Sequence, residues 1–357
     1  MHQIYFTRNI FIQGIILVLL TSFSTCKKES LSDPVSAVSL SEFETRLDNL
    51  RKGSAIPGMV AGIVRNGQVI WTKNYGFADI QKNIEVTNST IFHLASLTKT
   101  FASTVIVQLA KENKIDLDAP VSDYGVTVSE MGVVRVIHLL THTSEGVPGS
   151  KYRYNGDRYA LLSDVIQSAT GKNFHKESNE RIIQLLGLQN TAPSNMLFAA
   201  EDGFDTSRLK LNTAQGYLSN GVQPVGYPKN FSTAAGLTSN IDDMLKYAVA
   251  FDGSLLLSDE LKSKVFTPMI SNTGKTLPYG LGWFVQEKEG IKITWHYGYW
   301  TGMSSLIIRI PEKKLSFVLM ANSDMLSAPY PLGNGDIWVS PYAKEFLKSF
   351  VLDGAKL

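Results

Sequence analysis

The sequence predicts an α+β protein: one antiparallel sheet built from both ends of the chain, flanked by helices, with a mostly helical region inserted at about 115–230. Three observations carry that expectation. Near the start, GMVAGIVRNGQVIWTKNYGFAD reads as two strands meeting at Asn66-Gly67, a dipeptide that favours the tight turn of a hairpin. Near the end, YGLGWFVQ, KITWHYG, SSLIIRIPE and KLSFVLMAN are short runs rich in β-branched and aromatic residues, divided by turn material. Between these ends, apolar residues recur at helical spacing.

Taken in order, SLSEFETRLDNLRKG offers Ser41 as a helix cap, sets Phe43, Leu47 and Leu50 on one face, and stops at Gly53. The hairpin follows. From Leu97, the positions Phe101, Val105, Ile106 and Leu109 predict a helix to about Glu112. Another is expected over 158–170, with Leu162, Val165 and Ile166 inward and Gly171 as its end. Further helices are expected over 242–251 and 342–351. The pattern contains no internal repeat and no low-complexity tract.

A chain of 357 residues with 44% hydrophobic content has ample material for one large domain. Its 34 Lys and Arg against 32 Asp and Glu leave a formal charge of +2, too balanced for an electrostatic nucleic-acid footprint. No basic run with interleaved aromatics occurs, so nucleic acid is not an expected partner.

The first 26 residues differ in kind. Arg8 precedes the apolar run IFIQGIILVLL and the small polar stretch TSFST, the layout of an export signal over 1–25. That run is short for a membrane-spanning helix. Cys26 is the only cysteine, which excludes an intramolecular disulfide, and its place resembles a bacterial lipoprotein processing site. The expectation is an exported protein, periplasmic or at the cell surface. It is either lipid-anchored to a membrane through Cys26 or simply secreted after cleavage near Thr25. Polar residues 26–39 read as a tether, and 40–357 as the folded domain.

HLASLTKTF sets Ser96 and Lys99 three apart where a helical pattern begins. A serine hydroxyl needs a base in reach before it becomes a good nucleophile. One helical turn brings the lysine amine to the same side, and burial with nearby positive charge can depress its pKa enough for that role. The same spacing also suits an ordinary helical surface lysine. No GxSxG nucleophile elbow occurs, and Met269 stands where a phosphate loop ending at Gly274-Lys275-Thr276 needs glycine.

Tyr154, in KYRYNGDRYALL, is a second candidate: near two positive charges a tyrosine can titrate low enough to shuttle protons, or it is a half-buried structural residue. WHYGYWTGMSS supplies a third. Gly298 on a predicted strand can mark close approach by a ligand, and the amide after it, with that of Ser96, can form an oxyanion hole. His296 can donate to substrate, hold Tyr154, or serve as a core histidine. His138 and His142 are spaced as metal ligands on a helix, but no glutamate follows His138 as in HExxH. A structural role with hydrogen bonds to backbone is expected, with no metal and no organic cofactor.

Six blocks in order, HLASLTKTF, VIHLLTHTSEGVPG, YRYNGDRYALL, AAGLTSNIDDMLKYA, YGLGWFV and HYGYWTGMSS, resemble the serine β-lactamase and penicillin-binding-protein superfamily, class C β-lactamase-like branch. The resemblance spans about 42–350. It implies Ser96 as the acylated nucleophile, Lys99 as its proton acceptor, and Tyr154 at the second motif, usually Tyr-x-Asn. His296-Tyr297-Gly298 matches the third motif, where esterase and peptidase relatives often have His-x-Gly. The amides of Ser96 and Tyr299 would form the oxyanion hole, and Gly156 and Gly298 would border the substrate. Two departures stand out. Gly156 replaces the second-motif asparagine, which argues against efficient penicillin or cephalosporin hydrolysis, and Glu145 is an extra residue in a segment that usually reads THTSGLP.

The function so implied is that of an exported serine hydrolase cleaving an ester or amide: a β-lactam, a D-amino-acid peptide or a simple ester. Its partner would be a small-molecule or peptide substrate. A different reading is a lipoprotein sensor on the same scaffold that binds peptidoglycan fragments or β-lactams without turnover. Retention of Ser96, Lys99 and Tyr154 together argues against that.

Overall fold

The computed structural model describes residues 39–197 and 206–352, so the segment expected to be an export signal, Cys26 and nearly all of the expected tether lie outside the described residues. Helix α1 (Leu40–Gly53) buries Phe43 and Leu47 as its spacing demands. Its cap is Ser39 rather than Ser41, because the Ser39 hydroxyl is the one that accepts the Glu42 N–H. Strands β1 (Gly58–Arg65) and β2 (Gln68–Asp79) form the expected hairpin, with Asn66 at φ +52° and Gly67 at φ +74°. Strands β3 (Ile84–Glu85) and β4 (Phe92–Ala95) then lead into helix α2 (Thr98–Lys111).

The middle of the chain holds helices α3 (Val136–Leu140), α4 (Gly156–Ala160), α5 (Leu162–Thr170) and α6 (Phe174–Ser178), strand β5 (Ala192–Pro193), and helix α7 (Thr206–Leu211). Strands β6 (Gly216–Tyr217), β7 (Pro224–Val225) and β8 (Leu237–Ser239) follow, then helices α8 (Ile241–Ala250) and α9 (Asp259–Val265). The chain closes with β9 (Phe284–Lys288), β10 (Ile291–Trp300), β11 (Met303–Ile310), β12 (Leu315–Ala321) and α10 (Pro341–Phe350).

The main sheet has seven strands in the order β3-β2-β1-β12-β11-β10-β9. Its N-terminal and C-terminal halves join where β1 pairs antiparallel with β12, Met59 opposite Ala321 and Arg65 opposite Leu315. Both faces are covered, which explains why strands such as IIRI and FVLM are apolar without alternation. On one face α1 and α10 pack Phe43 and Phe346 against Phe317. On the other, α8 lies so close that a side chain at Gly62 would meet Leu245 at 2.7 Å. Helix α2 is buried almost all round, with Phe101 stacked on Tyr247 of α8 at 3.9 Å between ring centroids.

Three local expectations change. The helix expected over 158–170 begins at Gly156, capped by Asn155 accepting the Arg158 N–H, and is broken at Leu161 into α4 and α5. YGLGWFVQ becomes a strand only from Phe284, because Gly282 turns the chain at φ +77° with Ser103 pressed against it. The inserted region is not wholly helical either: β5 within it joins a small sheet of order β4-β8-β5. That sheet carries the turn on which Ser96 sits.

Candidate active site

Ser96 follows β4 directly, in the two-residue turn before α2. Ala95 is held at φ +48°, a conformation costly for a residue with a Cβ. Its N–H donates to Nδ1 of the buried His93 at 3.1 Å. On the other side of Ser96, the Thr98 hydroxyl donates to the Ala95 carbonyl at 2.7 Å and accepts the Leu237 N–H of β8 at 3.0 Å. The turn is therefore clamped to the small sheet from both ends. Ser96 is half-buried while its neighbours on either side are buried.

Lys99 is 1% exposed, and burial lowers its pKa to about 7, opposed by the negative charge of Asp157. The expectation of help from nearby positive charge is thus corrected: desolvation alone depresses it. Its Nζ lies 3.1 Å from Ser96 Oγ and donates to the Ala234 carbonyl at 2.8 Å. A neutral amine held by that carbonyl keeps its lone pair for the serine proton. Ala234 belongs to the small-residue run Ser232-Thr233-Ala234-Ala235-Gly236, which lets backbone approach the lysine closely.

Tyr154 rests on a loop fixed by its neighbour. The Asn155 side chain caps α4 and donates to Glu145 at 3.2 Å, and the Asn155 N–H donates to His142 Nδ1 at 3.2 Å. Glu145 thus acts as a strut of this loop. The Tyr154 ring lies 5.0 Å from Lys99 Nζ, and its hydroxyl interacts with Ser96 without a well-formed hydrogen bond to any group. Burial pushes the phenol well above its ordinary pKa. Of the two readings left open for Tyr154, the low-titrating one does not hold: desolvation outweighs every influence in the other direction, and the hydroxyl keeps its proton.

On β10, Tyr299 is 47% exposed at the cavity and Tyr297 lines it. Strand β9 pairs with β10 only as far as Trp295, so from His296 onward that side of β10 has no strand partner among the described residues. His296 itself does not reach the cavity. Its Nδ1–H donates to the Tyr297 carbonyl at 2.7 Å and its Nε2 accepts from Tyr279 at 2.8 Å, and burial lowers its pKa to about 3. It is a neutral imidazole with both nitrogens engaged, which corrects the expectation that it donates to substrate. Gly298 is close to backbone of its own protein. A Cβ there would sit 2.2 Å from the Leu94 carbonyl and 2.2 Å from Ser305 Oγ, so the close approach is by β4, the strand that leads to Ser96.

These elements enclose a cavity of about 610 Å³. Ser96, Lys99 and Tyr154 form its floor; Gly156, Asp157 and Ala160 one wall; Asn230, Ser232, Ala234 and Ala235 another; and Tyr297, Tyr299, Trp300 and Thr301 the third. A serine hydroxyl, a buried amine, a phenol and a strand edge unpaired among the described residues converge there, a set of groups that can serve acyl transfer.

A family model described as Beta-lactamase matches residues 43–336. The chain belongs to the beta-lactamase family. It is 23% identical over 301 residues to a D-aminopeptidase of Gluconobacter oxydans, covering 74% of this chain and 56% of that protein. It spans less than two thirds of the length of such curated relatives. Among solved structures, the fold is similar to a penicillin-binding protein homologue from Pyrococcus abyssi, with a TM-score of 0.72, 22% identity, and 87% of this chain and 77% of that one covered. It is also similar to the D-alanine carboxypeptidase AmpC from Burkholderia cenocepacia, with a TM-score of 0.68, 20% identity, and 85% and 97% covered.

Within this family site, Gly156 lines the cavity, and a Cβ at that position would meet nothing within 4 Å, so the wall is open where the asparagine is usual. His138 and His142 each accept a backbone N–H through Nδ1, from Arg135 and Asn155. His142 packs at 4.4 Å on the Tyr154 ring, and burial lowers its pKa. No cluster of metal-ligating side chains occurs among the described residues. None of their helices is long and apolar enough to cross a membrane. Sequence reasoning missed Ala95, the Ala234 carbonyl and Asp157. The small-residue run was a readable signal for the carbonyl; Ala95 and Asp157 carried none.

Proposed function

We propose that the protein is an exported serine hydrolase that cleaves an ester or amide through an acyl-enzyme on Ser96. The observation that carries this is the 3.1 Å separation of Ser96 Oγ from the amine of a buried lysine with a pKa of about 7. Ser96 Oγ bonds to the substrate carbonyl carbon while its proton passes to Lys99 Nζ. The carbonyl oxygen becomes an oxyanion, received by the amides of Ser96 and Tyr299. As the intermediate collapses, the bond to the leaving group breaks and that group takes a proton, relayed from Lys99 through the Tyr154 hydroxyl. Water then attacks the ester while Lys99 accepts its proton; the bond between the acyl carbon and Ser96 Oγ breaks, Lys99 returns the proton to Oγ, and the acid product leaves. No metal or organic cofactor takes part in this scheme.

His296 acts as a positioning residue, holding Tyr279 behind Tyr154. Gly298 lets β10 meet the nucleophile turn, and Gly156 leaves the cavity wall open. Lipidation at Cys26, with the tether to Ser39, would keep the domain at the membrane surface of the cell envelope. Incubation with a fluorophosphonate followed by intact mass spectrometry and peptide mapping tests the reading: one adduct on Ser96 is expected, and an unmodified Ser96 overturns it.

A further inference from the structure

A second cleft, of about 290 Å³, is lined by residues of β10, β11, α9 and the connections beside them. It shares no lining residue with the catalytic cavity. The Ser305 hydroxyl of β11 donates to the Leu94 carbonyl near the nucleophile, and four further residues of strand place Arg309 about 13 Å beyond that contact. Arg309 lines the cleft and is only 3% exposed.

This arginine is a buried cation with too few partners. One terminal nitrogen donates to Asp252 at 3.3 Å, whereas Nε and the other terminal nitrogen have no hydrogen-bond partner among the described residues. The rings of Phe251 and Phe266 lie 4.8 and 5.2 Å from the guanidinium carbon and exclude water without offering an acceptor. Burial lowers its pKa to about 10, which leaves it charged near neutral pH. Directly opposite Arg309 on the neighbouring strands stand Thr294 and Ser316, on the same face of the sheet, and their buried hydroxyls are unpartnered too. Buried polar groups are nearly always satisfied, so this row of orphans calls for a partner that the chain itself does not supply.

The charge around the cleft gives that partner its sign. Asp252 balances Arg309, and Asp259 holds Lys262 at 2.7 Å. Lys292 and Lys314 also line the cleft, and their side chains make no hydrogen bond or ion pair among the described residues. Two cations are therefore in surplus. The second oxygen of Asp252 is unpartnered as well, and the hydroxyl of a hydrogen phosphate or of a glycerol headgroup can donate to it.

We propose that this cleft is a phosphate-binding site, separate from the catalytic cavity. A tetrahedral phosphate group presents oxygens in several directions, so it can meet Arg309 from β11, Lys292 from β10 and Lys314 from the connection to β12 together. A carboxylate has two oxygens in one plane and suits this arrangement less. Free phosphate and the headgroup of an anionic phospholipid offer the same oxygens.

The test titrates the full chain at constant ionic strength with sodium phosphate and, separately, with dihexanoyl phosphatidylglycerol below its micellar concentration, followed by isothermal calorimetry. Saturable binding with Kd below about 1 mM is expected. Binding of sodium phosphate supports the site with the free ion as a sufficient ligand, and binding of the phospholipid alone supports it with the headgroup as ligand. The double variant Lys292→Gln/Lys314→Gln should weaken that binding by about tenfold or more, and Arg309→Gln should abolish it. Because Arg309→Gln also strands the Asp252 carboxylate, the double variant, which breaks no side-chain bond among the described residues, decides. No saturable binding of either probe to the wild type overturns the proposal, as does binding that the double variant leaves unchanged.

Discussion

The floor of the cavity and its rim are built differently. Around Ser96 and Lys99, His93, Thr98 and the Ala234 carbonyl fix each backbone and side-chain group with hydrogen bonds of 2.7–3.1 Å. Opposite them, Asp157 and Tyr299 are exposed, and Gly156 leaves the wall bare. The floor holds one lysine near neutrality and one backbone residue at unfavourable φ, both of which need a stiff surround. The rim holds groups that are exposed. On the proposed function, reaction type would be set where packing is complete, and substrate choice where it is not.

The comparison breaks most severely at the floor. Ser96→Ala should abolish covalent labelling, and Lys99→Met should slow acylation by about 10²–10⁴-fold, read by stopped-flow or quenched mass spectrometry. The second change also has a signature in stability. The pKa of Lys99 is about 7 when folded and near the ordinary lysine value of about 10.4 when unfolded, so the unfolded chain binds the extra proton between those limits. Wild-type stability should therefore rise with pH from about 7 to about 10, owing to this group, and level off below. Lys99→Met should remove that contribution and raise Tm at pH 7, as a methionine buries without desolvating a charge.

Next in size, Gly298→Ala places a methyl 2.2 Å from the Leu94 carbonyl. Thermal melts should show a loss of about 1–3 kcal/mol or more, together with weakened acylation as the nucleophile strand is pushed away. Tyr154→Phe keeps the ring and removes the proton donor, so kcat should fall by about 10²-fold while Tm changes little. Smallest of all, Gly156→Asn adds a side chain to open space. Its effect on stability should stay within about 0.5 kcal/mol, and any effect should appear in the substrate profile, including nitrocefin turnover.

Legibility in the sequence followed the same division. The hairpin, the buried face of α2 and the two-ended sheet were readable, because Asn66-Gly67, the Phe101 to Leu109 spacing and the apolar C-terminal runs report local geometry and burial directly. The pairing of Ser96 with Lys99 was readable as a spacing, since one helical turn fixes it. What was not readable depended on contacts distant in the chain. The Ala234 carbonyl reaches Lys99 across 135 positions. His296 looked like a cavity residue because its motif neighbours one; only the tertiary contact with Tyr279 shows that it is buried and engaged. Gly298 was assigned to a ligand because sequence shows that something comes close without showing what. For Tyr154 the sequence left a low-titrating and a structural reading open, and its burial pushes the phenol the opposite way from the first.

The most direct test of the central claim is the pH dependence of Ser96 acylation by a fluorophosphonate, followed by intact mass in the wild type and in Lys99→Met. A neutral Lys99 as the base predicts a wild-type rate that rises through an ionisation near pH 7 and a variant rate that is slow and free of that ionisation. A wild-type Ser96 that takes no label, or a Lys99→Met variant that labels at the wild-type rate with the same pH profile, would contradict it.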